Sequence, residues 1–304
     1  MPTITRVLCP VDFSEPSAHA VRYADAFAAW HSAGLTLQYV YLPLFIQAPG
    51  LPQVTESLPA SEMERLAADA RAFAAKAGCD RPDLAVAVDT GRAADEIVAR
   101  AALDHADLIV MGTHGLSGVR HLMLGSVTER VLRQAACPVL TVPPQVTPAG
   151  ALAPFTRIVA AVDFSEWSIE ALRWSGALAD RTGATLTAVH TVEWPWPEPP
   201  APAFEELPPT QAAALQEYRR YVIDRAHARL ATTVAEVVPP RCAVDLRIVH
   251  GKPYAELVRL ANEQSADLIA LGVHGRSAVD LALFGSTTNQ VVRHAACPVL
   301  TVRR

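Results

Sequence analysis

The amino-acid sequence predicts an α/β protein of two repeated doubly wound domains, each a five-stranded, mainly parallel sheet with helices on both faces. Three observations predict it. The chain has 304 residues, more than the roughly 100–200 of a usual single domain. It also repeats itself: "HADLIVMGTHGLSGVRHLMLGSVTERVLRQAACPVLTV" (105–142) aligns without a gap to "SADLIALGVHGRSAVDLALFGSTTNQVVRHAACPVLTV" (265–302), an offset of 160. Such self-similarity is sought before any other signal. Within each copy, short apolar runs alternate with amphipathic stretches, the pattern of a parallel sheet covered on both sides.

The elements follow in chain order. "RVLCPVDF" and "RIVAAVDF" are β-branched runs that read as first strands. "SEPSAHAVRYADAFAAWH" and "SEWSIEALRWSGALADRT" repeat their apolar residues at three and four, so helices follow, with Ser14 and Ser165 as N-caps and Pro16 inside the first turn. "LTLQYVYL" and "ATLTAVHT" are second strands, each followed by a long loop and a helix. "LAVAVDT" and "VDLRIVH" are third strands, and Gly91 and Gly251 open the helices after them. "ADLIVMGTH" and "ADLIALGVH" are fourth strands; a glycine-bearing loop, a helix and the fifth strand "CPVLTV" complete each copy.

"VDFSE" at 11–15 recurs at 162–166, an offset of 151. Gly91 and Gly251 already stand 160 apart, so the extra length of the second copy lies between its second strand and Gly251. "EWPWPEPPAPAFEELPPT" (193–210) is the candidate, because its prolines exclude a regular helix or central strand; a longer loop is expected. "PPQVTPAGALAP" (143–154) reads as a linker. The domains are therefore placed at 1–145 and 156–304, joined by 146–155.

Composition narrows the function. A formal charge of −5 without Lys/Arg clusters argues against a nucleic-acid surface, since phosphate backbones require a basic footprint. No apolar run approaches the roughly 18 residues of a membrane span, and no leader pattern opens the chain; a soluble cytoplasmic protein is expected. Cys9, Cys79, Cys137, Cys242 and Cys297 are odd in number and lack C-x-x-C spacing, so reduced thiols in strand-like contexts are the reading.

In doubly wound sheets ligands bind beyond the carboxyl ends of the strands, where strand order reverses. Asp12, Asp163, the second-strand tips and both glycine loops fall on that edge. Gly112 follows a buried strand, and Gly125-Ser126 precede the helix "VTERVLRQ". A strand-to-helix loop with glycine at both ends lets main chain approach a ligand, and the free N–H groups of the helix start favour an anion. The bland alternative is a turn plus a capping box of Ser126 with Glu129. The second copy has Asn289 in place of that glutamate yet keeps all three glycines and the serine, which shifts weight toward a ligand.

The spacing G-x2-G-x9-G-[ST], met by Gly112, Gly115, Gly125, Ser126 and again by Gly272, Gly275, Gly285, Ser286, resembles the ATP-binding signature of the universal stress protein family. "PVDFSE", the "G-x-[AP]" helix starts and the terminal "ACPVLTV" resemble it too. The resemblance implies an adenine-nucleotide-binding fold, usually dimeric, linked to stress survival. By position, Asp12 and Asp163 would contact the nucleoside, with Pro10 and Ala161 beside them. Leu42 and Thr191 would line the adenine slot, and Met111 and Leu271 lead into the loops. Gly112, Gly115, Gly125, Ser126 and Val127 would hold ribose and phosphates, as would Gly272, Gly275, Gly285, Ser286 and Thr287. Leu42 and Thr191 replace a common valine, and Ala161 replaces the proline matched by Pro10; both departures touch the adenine pocket. The "CPVLTV" strands would lie at sheet edges and pair about a pseudo-two-fold axis, so that one chain imitates the family's homodimer; dimerisation of the whole chain is a further option.

Three functions stay open. The first is a nucleotide-responsive stress-survival regulator that binds ATP, or ADP or AMP, in each half. The second is a slow ATPase or adenylyl-transferring enzyme. This is the weaker, because no G-x-x-x-x-G-K-[ST] occurs and the only lysines are Lys76 and Lys252. Lys252 and its counterpart Arg92 are taken as solvated charges, and His114 and His274 as packing against the loop. The third is a scaffold that has lost its ligand. No H-E-x-x-H occurs, so a metal would be Mg²⁺ carried by the phosphates. The two long loops are expected as lids or docking segments.

Overall fold

The computed structural model describes residues 4–43, 45–46, 54–55, 58–113, 124–144, 155–193, 208–274 and 285–303. The first half runs β1 (Arg6–Val11), α1 (Glu15–His31), β2 (Gly34–Tyr41), the two-residue strands β3 (Phe45–Ile46) and β4 (Val54–Thr55), α2 (Ala60–Ala77), β5 (Ala85–Thr90), α3 (Ala93–Leu103), β6 (Leu108–Gly112), α4 (Ser126–Gln134) and β7 (Val139–Val142). The second half repeats it as β8 (Arg157–Ala161), α5 (Glu166–Thr182), β9 (Thr185–Val192), α6 (Pro209–Val237), β10 (Val244–His250), α7 (Pro253–Glu263), β11 (Leu268–Gly272), α8 (Ser286–His294) and β12 (Val299–Val302). Most of the linker and of the proline-rich loop lie outside the described residues, as do Gly115, Gly275 and His114. β3 and β4 form an antiparallel pair within the first long loop, which sequence reading treated as irregular.

Each half is a fully parallel sheet with reversed strand order, β7-β6-β1-β2-β5 and β12-β11-β8-β9-β10. The strands are apolar on both faces because helices cover both: α1 and α2 seal one face through Phe27, Leu37 and Val110, and α3 and α4 seal the other through Ile97, Ile109 and Val131. Ser14 and Ser165 start α1 and α5 as N-caps, accepting from the N–H groups of Ser17 and Ser168. Asp107 and Asp267 pin the opposite edge, each accepting from the backbone of Thr5 and Arg6 or of Thr156 and Arg157.

β7 and β12 pair antiparallel, Leu140 facing Leu300, and join the halves into one ten-stranded sheet. The pairing is symmetric: the Thr141 hydroxyl donates to the Val299 carbonyl at 3.2 Å and Thr301 to Val139 at 3.1 Å, both threonines being buried. Phe155 of the second half packs against Tyr23, Phe27 and Trp30 of α1.

Candidate functional site

The carboxyl edge of each half opens where β1 parts from β6. Those strands pair only at Val7–Leu108 and Leu8–Ile109, whereas β1 stays with β2 as far as Val11–Tyr39. Pro10 has no N–H with which to extend the β1–β6 ladder. In the second half Ala161 stands in its place, and the β8–β11 ladder runs one pair further, to Ala160–Ala270. Both crevices sit at the point where strand order reverses, the general ligand position of such sheets.

One wall is a turn that sequence reading missed. Phe13 and Phe164 adopt φ of 62° and 65°, a left-handed conformation that is a genuine outlier for a bulky residue. That bend folds the preceding carboxylate onto the following serine: Asp12 accepts from Ser14 N–H at 3.1 Å and from its hydroxyl, and Asp163 accepts from Ser165 N–H at 2.9 Å and hydroxyl at 2.6 Å. Each serine then caps its helix. The aspartates thus support the cap, which is one step removed from capping it directly. Aromatic packing holds the bend. Phe13 stacks on Tyr39 at 4.7 Å and meets Phe73 edge-on at 5.5 Å, while Phe164 lies 4.5 Å from His190 and has the Arg229 guanidinium 4.1 Å above its ring. Such strained residues cost about 1–3 kcal/mol and gather at ligand clamps.

The other wall is the loop base. Gly125 N–H donates to Thr113 O at 3.0 Å and Gly285 N–H to Val273 O at 3.1 Å, so each glycine loop is closed on itself. The Thr128 hydroxyl ties α4 back to Gly112 O at 3.0 Å, and Thr288 ties α8 to Gly272 O at 2.8 Å. These threonines were also missed; their signal is the repeated S-x-T after the third glycine. The N-caps are Gly125 and Gly285, without a side-chain cap. Ser126 is therefore inside the helix, and the capping box does not form: Glu129 pairs with Arg133 at 2.9 Å instead. Closure of the loop shifts the helix start by one residue. The first N–H groups, those of Ser126 and Val127 and of Ser286 and Thr287, thus head their helices at the mouth of each crevice.

Two glycines also have packing roles. A Cβ on Gly272 would stand 2.7 Å from Trp167 Cβ and 2.9 Å from Ser168 N, and one on Gly285 would meet Val273 O at 2.8 Å. Met111 and Leu271 are buried core residues one position earlier.

Strand register changes the second-strand assignment. Pro10 faces Gln38 and its counterpart Ala161 faces Val189; Gly91 N–H bonds Tyr41 O and Gly251 N–H bonds Val192 O. Thr191 therefore matches Val40, and Leu42, which is 63 % exposed beyond the end of β2, matches Glu193. The first-half counterpart is a valine after all.

His274 is buried, edge-on to Trp167 at 5.2 Å, with Arg303 donating to its Nε2 at 3.3 Å. Burial lowers the pKa of Arg303. Lys252 and Arg92 are exposed at the starts of α7 and α3. Among the described residues no cluster of His, Cys, Asp or Glu is arranged to hold a metal, and no helix is long and apolar enough to cross a membrane.

The model of the universal stress protein family matches residues 3–143 and again 154–303. A universal stress protein of Mycolicibacterium smegmatis is 29% identical over 301 residues, 98% of this chain and 96% of its own. A universal stress protein of Thermus aquaticus is 36% identical over 138 residues, 45% of this chain and 96% of its own. The crystal structure of a universal stress protein from Archaeoglobus fulgidus aligns at TM-score 0.63 and 21% identity, covering 98% of both chains.

Proposed function

Because both halves of the chain belong to the universal stress protein family, we propose that each half binds an adenine nucleotide at its carboxyl edge and that the protein acts as a nucleotide-responsive regulator in stress survival. The observation that supports this reading best is the twofold recurrence of one backbone device. A crevice at the switch point has a bent Asp-Phe-Ser turn on one side and an uncapped helix start on the other. A carboxylate suits ribose hydroxyls or an exocyclic amine, through charge-assisted bonds. Bare N–H groups with a positive helix end suit phosphates, and Mg²⁺ would arrive with them.

Magnitudes say how the work divides. A helix N-terminus stabilises an anion by about 0.3–1 kcal/mol, up to about 2 when partly buried. Micromolar affinity requires about 8 kcal/mol. The base and ribose must therefore supply most of the binding energy, through the slot between the Asp12 turn and Val40 and its equivalent between Asp163 and Thr191. Binding without efficient turnover is the form of activity proposed, since His274 is packed against Trp167 and Lys252 stands at a different helix.

Calorimetric titration with ATP, ADP and AMP tests the reading. Two equivalents per chain are expected; an isotherm without saturable heat for any of the three would overturn it.

A further inference from the structure

The sheet edge opposite the nucleotide crevices carries a cavity of about 540 Å³ in the first half, within the range of about 300–1,000 Å³ typical of small-molecule sites. It lies beneath the carboxyl end of α3, over the amino-terminal ends of β1, β2 and β5, and its lining includes Arg6, Thr36, Ala85, Ala87, Leu103 and Asp104. Strand alternation puts Ala85 and Ala87 on one face with Asp89. That face is the α3 side, because Gln38 bonds both Asp89 and the Glu96 carbonyl there.

The second half provides an internal control. Register equates Thr36 with Thr187, Ala85 with Asp245 and Ala87 with Arg247. In the second half Arg247 pairs with Asp245 at 2.7 Å and Thr187 donates to Gln264 at 2.9 Å, so the same face is occupied by its own side chains. In the first half the pair is replaced by two alanines, and Glu263 by Leu103, which is 68 % exposed.

The charges say what fits. Arg100 is committed to Asp89 at 2.5 Å and Asp104 at 3.6 Å, and Asp83 to Arg81 at 2.9 Å. The exposed Arg6 guanidinium donates to a carbonyl, Asp104 O at 2.7 Å, and among the described residues no carboxylate lies in ion-pair range of it. A guanidinium with unused donors, a hydroxyl at Thr36, an alanine floor and an exposed leucine together suit a compact apolar body bearing a carboxylate. We propose that this cavity is a second ligand site, for a small organic carboxylate, retained by the first half and closed in the second.

Benzoate is the probe, and benzyl alcohol its uncharged match, titrated into the full ¹⁵N-labelled chain. Benzoate should move the amides of Ala85, Ala87 and Leu103 saturably at millimolar concentration, and bind at least about threefold more tightly than benzyl alcohol. Ala85→Asp with Ala87→Arg, which copies the second half, should raise the benzoate dissociation constant at least about tenfold. Arg6→Gln should abolish the preference for benzoate while leaving the amide map in place, so the inference does not hang on one variant. The proposal is overturned if those amides do not respond, or if the filled variant binds benzoate as the parent does.

Discussion

Gly272→Ala separates packing from ligand contact at the loop base. The backbone at Gly272 lies outside the left-handed region, so alanine costs nothing there by conformation, and the effect is one of contact alone. Its new Cβ would sit 2.7 Å from Trp167 Cβ, 2.8 Å from Trp167 C and 2.9 Å from Ser168 N. Carbon atoms prefer about 3.5–4.0 Å, so a shift of roughly 1 Å is demanded. Two of the three neighbours are backbone in the first turn of α5, held by Ser168 N–H on the Ser165 hydroxyl at 3.2 Å and Ile169 N–H on Ser165 O at 3.0 Å. Overpacking of that kind costs about 1–3 kcal/mol. At about 2–4 °C per kcal/mol for a domain of this size, the melting temperature should fall by roughly 2–12 °C. Gly34→Ala is the control, because its Cβ would meet only Thr5 O at 3.8 Å. Thermal melting without nucleotide, followed by tryptophan fluorescence, measures both. If Gly272→Ala is no less stable than Gly34→Ala, the packing role assigned to this glycine is wrong.

Acid should weaken the fold through His31, whose pKa burial, aided by Arg181, lowers to about 4. Its stabilisation is present above the unfolded value of about 6.5 and is lost as pH falls toward 4; thermal melts should show the loss, and His31→Gln should flatten it. Burial raises the Cys9 thiol far above the ordinary range and pushes Cys79 and Cys297 up to about 12. A thiol reagent at pH 8 should therefore leave these three unmodified until urea unfolds the chain, and fast labelling of the native protein would contradict their burial. The sign at high pH follows: unfolded thiols ionise near 8.5 while the folded ones stay protonated, so stability should fall as pH climbs above that value.

Periodicity and duplication were enough to place the helices and the strands of the main sheet, though not the short β3–β4 pair, because parallel strands and amphipathic helices write their burial into the local pattern. Three features could not be reached that way. The match of Leu42 to Thr191 failed because the chain diverges just beyond the second strand, and only the hydrogen bonds of β5 and β10 fix the register there. Ser126 has the local signature of an N-cap, but the Gly125 N–H is drawn to Thr113 O across the loop, a contact between residues far apart in sequence. Phe13 and Phe164 defy their own backbone preference and are held by Tyr39 and Phe73, or by His190 and Arg229, which arrive from other elements. In each case tertiary contact outweighed local propensity.

What the two halves share is backbone geometry; what they have changed is the lining. Where Phe73 meets Phe13 in the first half, the Arg229 guanidinium covers Phe164 in the second. If both crevices take an adenine nucleotide, that cation acts on one of them alone. An exposed charge about 8 Å from a phosphate is worth about 0.5 kcal/mol in water, near twofold in affinity, and the Debye length of about 10 Å at 0.1 M salt trims it further. The two sites should therefore differ in affinity by about twofold or less at low ionic strength, read as unequal saturation of the Phe13 and Phe164 amides in the ¹⁵N-labelled chain, and should converge as salt is added. Arg229→Gln should bring the two saturation curves together at low salt while leaving two equivalents bound. Were the inequality to survive that substitution, the difference between the sites would have to lie in other lining contacts, where Pro10 against Ala161, Val40 against Thr191, Tyr39 against His190 and Val127 against Thr287 are contrasts among the described residues.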